Sequence, residues 1–291
     1  MLKSEARTAY LLAFPAFLYL LAIMIVPLVW AVSLSFTDKT LGGGAHWIGL
    51  HNYAVLLKDK AFYRSVFNTL EFTVLSVLLK LAIGLVMALV LNQAFVGRNF
   101  SRALLLLPWA LPSIVAILTW KWLFSDIGGL INYVLKGLGL IAQPVLFLND
   151  RTWAMGSIVM VNVWKGMPFI GISLLAGLQT ISRELYEAAE IDGAGRFRQF
   201  LYITMPLLKN VILLTALLST IWTFNAFDVV YLLTNGGPVD ATTVVSLYSY
   251  NLLFGQSDLA KAITAAVIFL PVMIVLVNGV ARMTLDQGEA R

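Results

Sequence analysis

The sequence predicts an all-α, polytopic membrane protein with about six transmembrane helices. Three observations predict it. Of the 291 residues, 60% are hydrophobic and only 12% are charged, whereas a soluble domain is near half apolar and about a quarter charged. Six apolar stretches are each long enough to cross roughly 30 Å of hydrocarbon, which takes about 20 helical residues. The basic residues mostly flank those stretches, as they do in membrane proteins. In lipid the backbone must satisfy its own hydrogen bonds, so the spanning elements are helices.

The predicted spans are 9–36, 66–92, 103–124, 152–178, 207–233 and 261–283. The first follows Lys3 and Arg7 and is too long for a signal-peptide core, so it reads as an uncleaved helix. With the N-terminus inside, the cytoplasmic segments carry Lys3, Arg7, Arg98, Arg102, Arg183, Arg196, Arg198, Arg282 and Arg291. The longer outside loops carry fewer: Lys39, Lys58, Lys60, Arg64, Lys136 and Arg151. This bias places both termini in the cytoplasm. Pro15, Pro27, Pro108, Pro112, Pro168 and Pro271 punctuate the spans. Each removes a backbone bond and can kink its helix, and two in the third span predict a hinge or break there.

Composition also excludes functions. There is no cysteine, hence no disulfide, thiolate metal site or cysteine nucleophile. The net charge of +5 is a topology signal here, and no nucleic-acid partner is expected. His46 and His51 share an outside loop without a carboxylate or third ligand close in sequence, so no metal site is expected. Zinc-protease and nucleophile-elbow motifs are absent, which leaves a membrane enzyme without its usual groups. No G-x-x-x-x-G-K-[ST] phosphate loop occurs, so any ATP-derived energy must come from another chain.

The segment between the fourth and fifth spans is unusually structured for a loop. Ile181 to Asn210 reads as two short helices joined at glycines, with Pro206 before the next span. Ser182 is a good N-cap and Glu184 suits the first turn. Leu185, Ala188, Ala189 and Asp192 share a face, Gly193 and Gly195 permit a sharp turn, and Phe197, Phe200 and Leu201 form a second stripe. Periodicity alone leaves two readings open: a helix docked on a partner, or one lying on the membrane.

Glu187-Ala188-Ala189, Asp192-Gly193-Ala194, then Ile203 and Pro206, resemble the EAA motif of binding-protein-dependent ABC permeases. Met205 stands where the motif usually has leucine, a volume-conserving departure. The resemblance extends over nearly the whole chain. It includes Gly49-Leu50-His51-Asn52-Tyr53, Asn68-Thr69, Trp120-Lys121-Trp122, Asn162-Val163-Trp164-Lys165-Gly166 and Thr234-Asn235-Gly236-Gly237-Pro238. The chain is thereby identified as a member of the carbohydrate-uptake branch, maltose/glycerol-phosphate-type.

The resemblance implies a single permease domain over 1–291 with the type I importer fold and a coupling segment at about 181–206. It implies a second homologous permease, two ATPase subunits that carry ATP and magnesium, and an extracytoplasmic sugar-binding protein. It implies the bacterial or archaeal inner membrane. Glu187, Ala188, Ala189, Asp192 and Gly193 would meet the ATPases. The alternative is an ion-coupled secondary transporter of a small polar solute; such folds often carry internal repeats, and none is evident.

Charge at bilayer depth is costly, so intramembrane charges are functional candidates. Glu71, Lys80, Lys121, Lys165 and Asp228 qualify. Lys121 sits near a span end and can snorkel, and Lys80 calls for a partner on another helix. Asn162, Lys165, Gly166 and Phe169 share one helix face, and Asn225 and Asp228 are spaced i, i+3. Amides and an aromatic ring suit a sugar. By the resemblance, these six positions match sugar-contacting ones in maltose-type permeases. The competing reading is that Lys165 and Asp228 only neutralise each other. Lys165 also leaves open an anionic sugar derivative.

Overall fold

The computed structural model describes residues 2–285, with side chains described for 12–282. Arg291 lies outside the described residues, as do the side chains of Lys3 and Arg7. The described elements are helices, and the one β-bridge pairs Thr37 with Trp47. In chain order they are α1 (Leu2–Leu34), α2 (His51–Leu56), α3 (Lys60–Asn92), α4 (Arg98–Ala110), α5 (Ser113–Leu123), α6 (Leu130–Gly137) and α7 (Arg151–Gln179). There follow α8 (Arg183–Ile191), α9 (Arg196–Gln199), a π-turn (Phe200–Thr204), α10 (Met205–Phe224) and α11 (Asp228–Leu233). The last are α12 (Val245–Gln256), α13 (Leu259–Val267) and α14 (Leu270–Leu285). Among the described residues, five helices are long and apolar enough to cross a membrane, or six if α4 and α5 together make one span.

Two predicted spans are interrupted, and another carries a turn within it. The third bends by 92° between α4 and α5. Pro112 pushes Leu111 into the extended region (φ −69°, ψ 139°), which ends α4. The fifth stops at Phe224, with Asn225 as C-cap, and restarts at Asp228. The sixth turns at Ile268 and Phe269, between α13 and α14. The second short helix of the coupling segment is continuous with the fifth span. α9 runs without a break through the π-turn into α10, making one 29-residue span, Arg196–Phe224. Pro206 has no N–H for an α-type bond, and the preceding turn widens so that the Met205 N–H reaches Phe200 O.

The chain forms two compact units. The first comprises residues 1–62 and 248–270. Within it, α1 and α2 pack on α13. The buried Asn52 amide donates to Ser35 O (3.0 Å) and Thr37 O (2.7 Å), and Thr264 Oγ1 donates to Ser35 O (3.2 Å). Trp47 stacks on Phe36 at 5.2 Å between ring centroids. Asp38 accepts from the His46 backbone N–H and lies 3.2 Å from its ring nitrogen. That backbone bond is the main reason the Asp38 carboxyl sits below its usual pKa. The loop thus brings His46 a carboxylate that sequence spacing did not suggest.

The second unit, 63–247 and 271–291, holds the coupling segment and the deepest core. Ala88 and Leu91 of α3, Ile170, Leu174, Leu175 and Leu178 of α7 and Leu208 of α10 are buried together. Close packing through small residues lets membrane helices associate where the hydrophobic effect does not drive them together. A Cβ on Gly84 would lie 2.7 Å from Ile170, so α3 and α7 need a glycine there. Two residues of the recognised motifs act as pins. Asn68 Nδ2 donates to Asp240 O and Thr243 O, and Thr69 Oγ1 accepts from the Val245 N–H.

Candidate functional site

The broken helices meet around a cavity. The kink at Leu111–Pro112 starts α5 at Ser113, and the break at Asn225 starts α11 at Asp228. α5 and α11 pack on one another, and α11 also packs on α7. The space they leave is about 300 Å³, the scale of a sugar ring or two. All six predicted pathway residues, Asn162, Lys165, Gly166, Phe169, Asn225 and Asp228, line it. The shared face on α7 is as the spacing implied. Asn225 and Asp228 arrive by another route: they flank a helix break rather than sharing a helix face.

The polar groups are arranged as follows. The Asn162 amide nitrogen is buried with no partner among the described residues, which leaves a donor for whatever enters. Asn225 Nδ2 donates back to Ile221 O at 2.8 Å and caps α10, which leaves its second N–H and its carbonyl for a ligand. The Lys165 ammonium donates to Ser113 Oγ. Lys165 and Asp228 lie within electrostatic reach of each other, though no ion pair within 4 Å joins them among the described residues. Phe169 and Trp222 meet edge-to-face at 4.9 Å and present aromatic surface to the space.

Sequence reasoning left Lys80 without a partner and outside the site. It is 4% exposed, lines the cavity, and donates to Thr223 Oγ1 at 2.9 Å. Its stem lies across Gly166, where a Cβ would fall 2.6 Å from Lys80 Cε. Gly166 is therefore the recess that admits Lys80. Other lining residues, among them Trp109, Ser113, Ser219, Trp222 and Thr223, were also missed. One signal was available: the buried face of α3 reads Ser65, Thr69, Thr73, Ser76, Lys80, which is too polar to face lipid. Lys121 does not simply snorkel; its ammonium donates to Leu232 O at 2.7 Å and ties α5 to α11.

The coupling segment is a helix end held by its turn. Ser182 caps α8, accepting from the Glu184 N–H. At the other end the Gly193 N–H bonds Glu190 O (3.0 Å) and the Ala194 N–H bonds Ala189 O (2.8 Å). These are the two bonds of a Schellman cap, whose C′ residue must be left-handed. Gly193 supplies φ +76°. Tyr186 OH meets Thr204 Oγ1 at 3.0 Å and fixes α8 against the π-turn. No residue of α8 is buried, and Ile191 and Phe197 are 88% and 73% exposed. Glu187 and Ala188 point outward, and Ala189 is half-buried.

Among known proteins, residues 80–284 match the family described as binding-protein-dependent transport system inner membrane component. The trehalose/maltose transport system permease protein of Thermococcus litoralis is 40% identical over 262 residues, 89% of this chain and 88% of that protein. The sulfoquinovosyl glycerol transport system permease protein of Agrobacterium fabrum is 37% identical over 262 residues, 89% of this chain and 84% of its own. In fold, the chain is similar to a chain of a bacterial ABC transporter involved in import of the acidic polysaccharide alginate. The TM-score is 0.83 at 24% identity, covering 97% of this chain and 96% of that one.

Proposed function

The chain belongs to the family of binding-protein-dependent transport system inner membrane components, and from that premise we propose that it passes a sugar or sugar derivative through the membrane to the cytoplasm. The observation that carries the substrate class is the cavity. It combines the unpartnered Asn162 amide nitrogen and the Asp228 carboxylate with the Phe169 and Trp222 rings, and sugars need both hydrogen bonds and an apolar face. Relatives named for trehalose, maltose and sulfoquinovosyl glycerol support the reading. The ion-coupled alternative has no observation in its favour. The chain acts as one permease domain beside a second permease. Two ATPases grip α8 through Glu187, Ala188, Ala189, Asp192 and Gly193, and an external sugar-binding protein delivers the cargo.

The test is uptake by the purified assembly in proteoliposomes. Labelled sugar delivered by the binding protein should accumulate only with ATP, and should ignore ion gradients. Accumulation driven by a sodium or proton gradient without ATP would contradict the proposal.

Orientation has its own test. The sequence has no cysteine, and Gly44 and Gly195 have no heavy atom within 3.4 Å of an added Cβ. In intact cells Gly44→Cys should react with an impermeant thiol reagent and Gly195→Cys should not. Labelling of Gly195→Cys from outside would reverse the assignment of both termini to the cytoplasm.

Lys165 and Asp228 act as separate contacts within the pathway. Lys165→Met and Asp228→Asn should each lower uptake roughly tenfold, the scale of one hydrogen bond to a charged group. The double variant should transport no better than either single one. Recovery above both would show that the two groups serve mainly to neutralise each other.

A further inference from the structure

The second unit holds a larger pocket of mixed lining, about 460 Å³, where the turn after α5 faces the loop after α11. Its polar groups are incompletely matched. Asp126 Oδ2 accepts from Asn149 Nδ2 at 2.7 Å. Asp126 Oδ1 is buried with no partner among the described residues. A buried carboxylate oxygen left without a donor is costly, so it marks a place where a donor is expected. Lys121 spends one N–H on Leu232 O and keeps two. Asn235 also lines the pocket, and Ile127 and Pro238 add apolar surface.

The pocket stands in line with the membrane cavity. α5 lines the cavity at Ser113 and Ile117 and reaches the pocket at Lys121. α11 lines the cavity at Asp228 and Val229 and reaches the pocket at Leu233. From Ile117 to Lys121, and from Val229 to Leu233, the step is four residues, about 6 Å of helix. α7 begins beside the pocket at Leu148 and Asn149, lines the cavity from Val161 to Phe169 and ends at Gln179 ahead of the coupling segment, so pocket and coupling segment lie at opposite ends of α7.

We propose that this pocket is a second saccharide subsite in series with the membrane cavity, where the Asp126 carboxylate accepts hydrogen bonds from sugar hydroxyls before the sugar moves inward. The proposal rests on the sugar-importer reading above. A pyranose offers several hydroxyl donors and an apolar ring face, and charge-assisted bonds to a carboxylate are the strong kind. A divalent cation is a poorer occupant, because it needs more oxygen ligands than one carboxylate supplies. Among the described residues no group of three His, Cys, Asp or Glu lies together.

Two measurements test it. Ile127 lines the pocket and is 92% exposed, so Ile127→Cys adds one reactive thiol to a cysteine-free chain. Maltose and trehalose should slow its alkylation in membranes, glycerol should not, and adding Asp126→Asn should remove the protection. In the reconstituted assembly, Asp126→Asn should lower sugar moved per ATP roughly fivefold, the effect of one lost hydrogen bond. ATP hydrolysis stimulated by the loaded binding protein should persist, which also reports intact assembly. Alkylation of Ile127→Cys that ignores both sugars overturns the subsite, as does an unchanged ratio in Asp126→Asn. If the unmodified assembly moves no sugar, the importer reading fails instead, and the alkylation result still decides the subsite.

Discussion

Gly193→Val is expected to abolish sugar transport and substrate-stimulated ATP hydrolysis while leaving the chain inserted in the membrane. Gly193 holds φ +76° at the C′ position of α8, with both Schellman bonds formed around it. Nothing lies within 4 Å of an added Cβ, so the penalty is conformational rather than steric crowding. A β-branched residue forced into the left-handed region costs about 1–3 kcal/mol. α8 buries no residue of its own, so little besides the Tyr186–Thr204 bond opposes its swinging away. The strain would therefore reorient the exposed helix and spare the membrane core. Asparagine tolerates left-handed backbone, so Gly193→Asn should keep much of the activity. Uptake and ATP hydrolysis in proteoliposomes read both variants. Full transport by Gly193→Val would remove α8 from the coupling role.

Gly166→Ala is expected to lower uptake by tenfold or more, and to do so through Lys80. The added methyl would sit 2.6 Å from Lys80 Cε and 3.0 Å from its ammonium. The end of the Lys80 side chain must then shift, which disturbs its 2.9 Å bond to Thr223 Oγ1 beside the cavity. Disturbing a hydrogen bond to a buried charged group costs about 1.5–3 kcal/mol, or 10- to 150-fold. Lys80→Met should show a loss of the same order. Because one variant acts through the other residue, Lys80→Met with Gly166→Ala should be no worse than Lys80→Met alone. Log-additive losses would show that the two act independently.

The membrane architecture was legible because spans are written in long apolar runs and their flanks. The predicted 152–178 emerges as Arg151–Gln179. What hydropathy cannot read is a break inside an apolar run. Leu111-Pro112 turns one predicted span through 92°. Asn225-Ala226-Phe227 interrupts another without a proline, because the Asn225 amide caps the helix through Ile221 O. Helix spacing brought Asn162, Lys165, Gly166 and Phe169 to one cavity, since a shared face is a property of α7 alone. Partners across helices were out of reach of sequence: Lys165 meets Ser113, 52 residues away, and Lys80 meets Thr223, 143 residues away. The recognised motif residues Asn52, Asn68 and Thr69 prove to be hydrogen-bonding pins rather than pathway groups, and their type alone could not tell the two roles apart.

The central claim is that the cavity between α5, α7, α10 and α11 carries the sugar. The most direct measurement is a structure of the full assembly trapped during transport, with sugar bound. Density for a sugar ring is expected against Phe169 and Trp222, within hydrogen-bond distance of Asn162, Lys165 and Asp228. A sugar bound between the subunits with this cavity empty would contradict it.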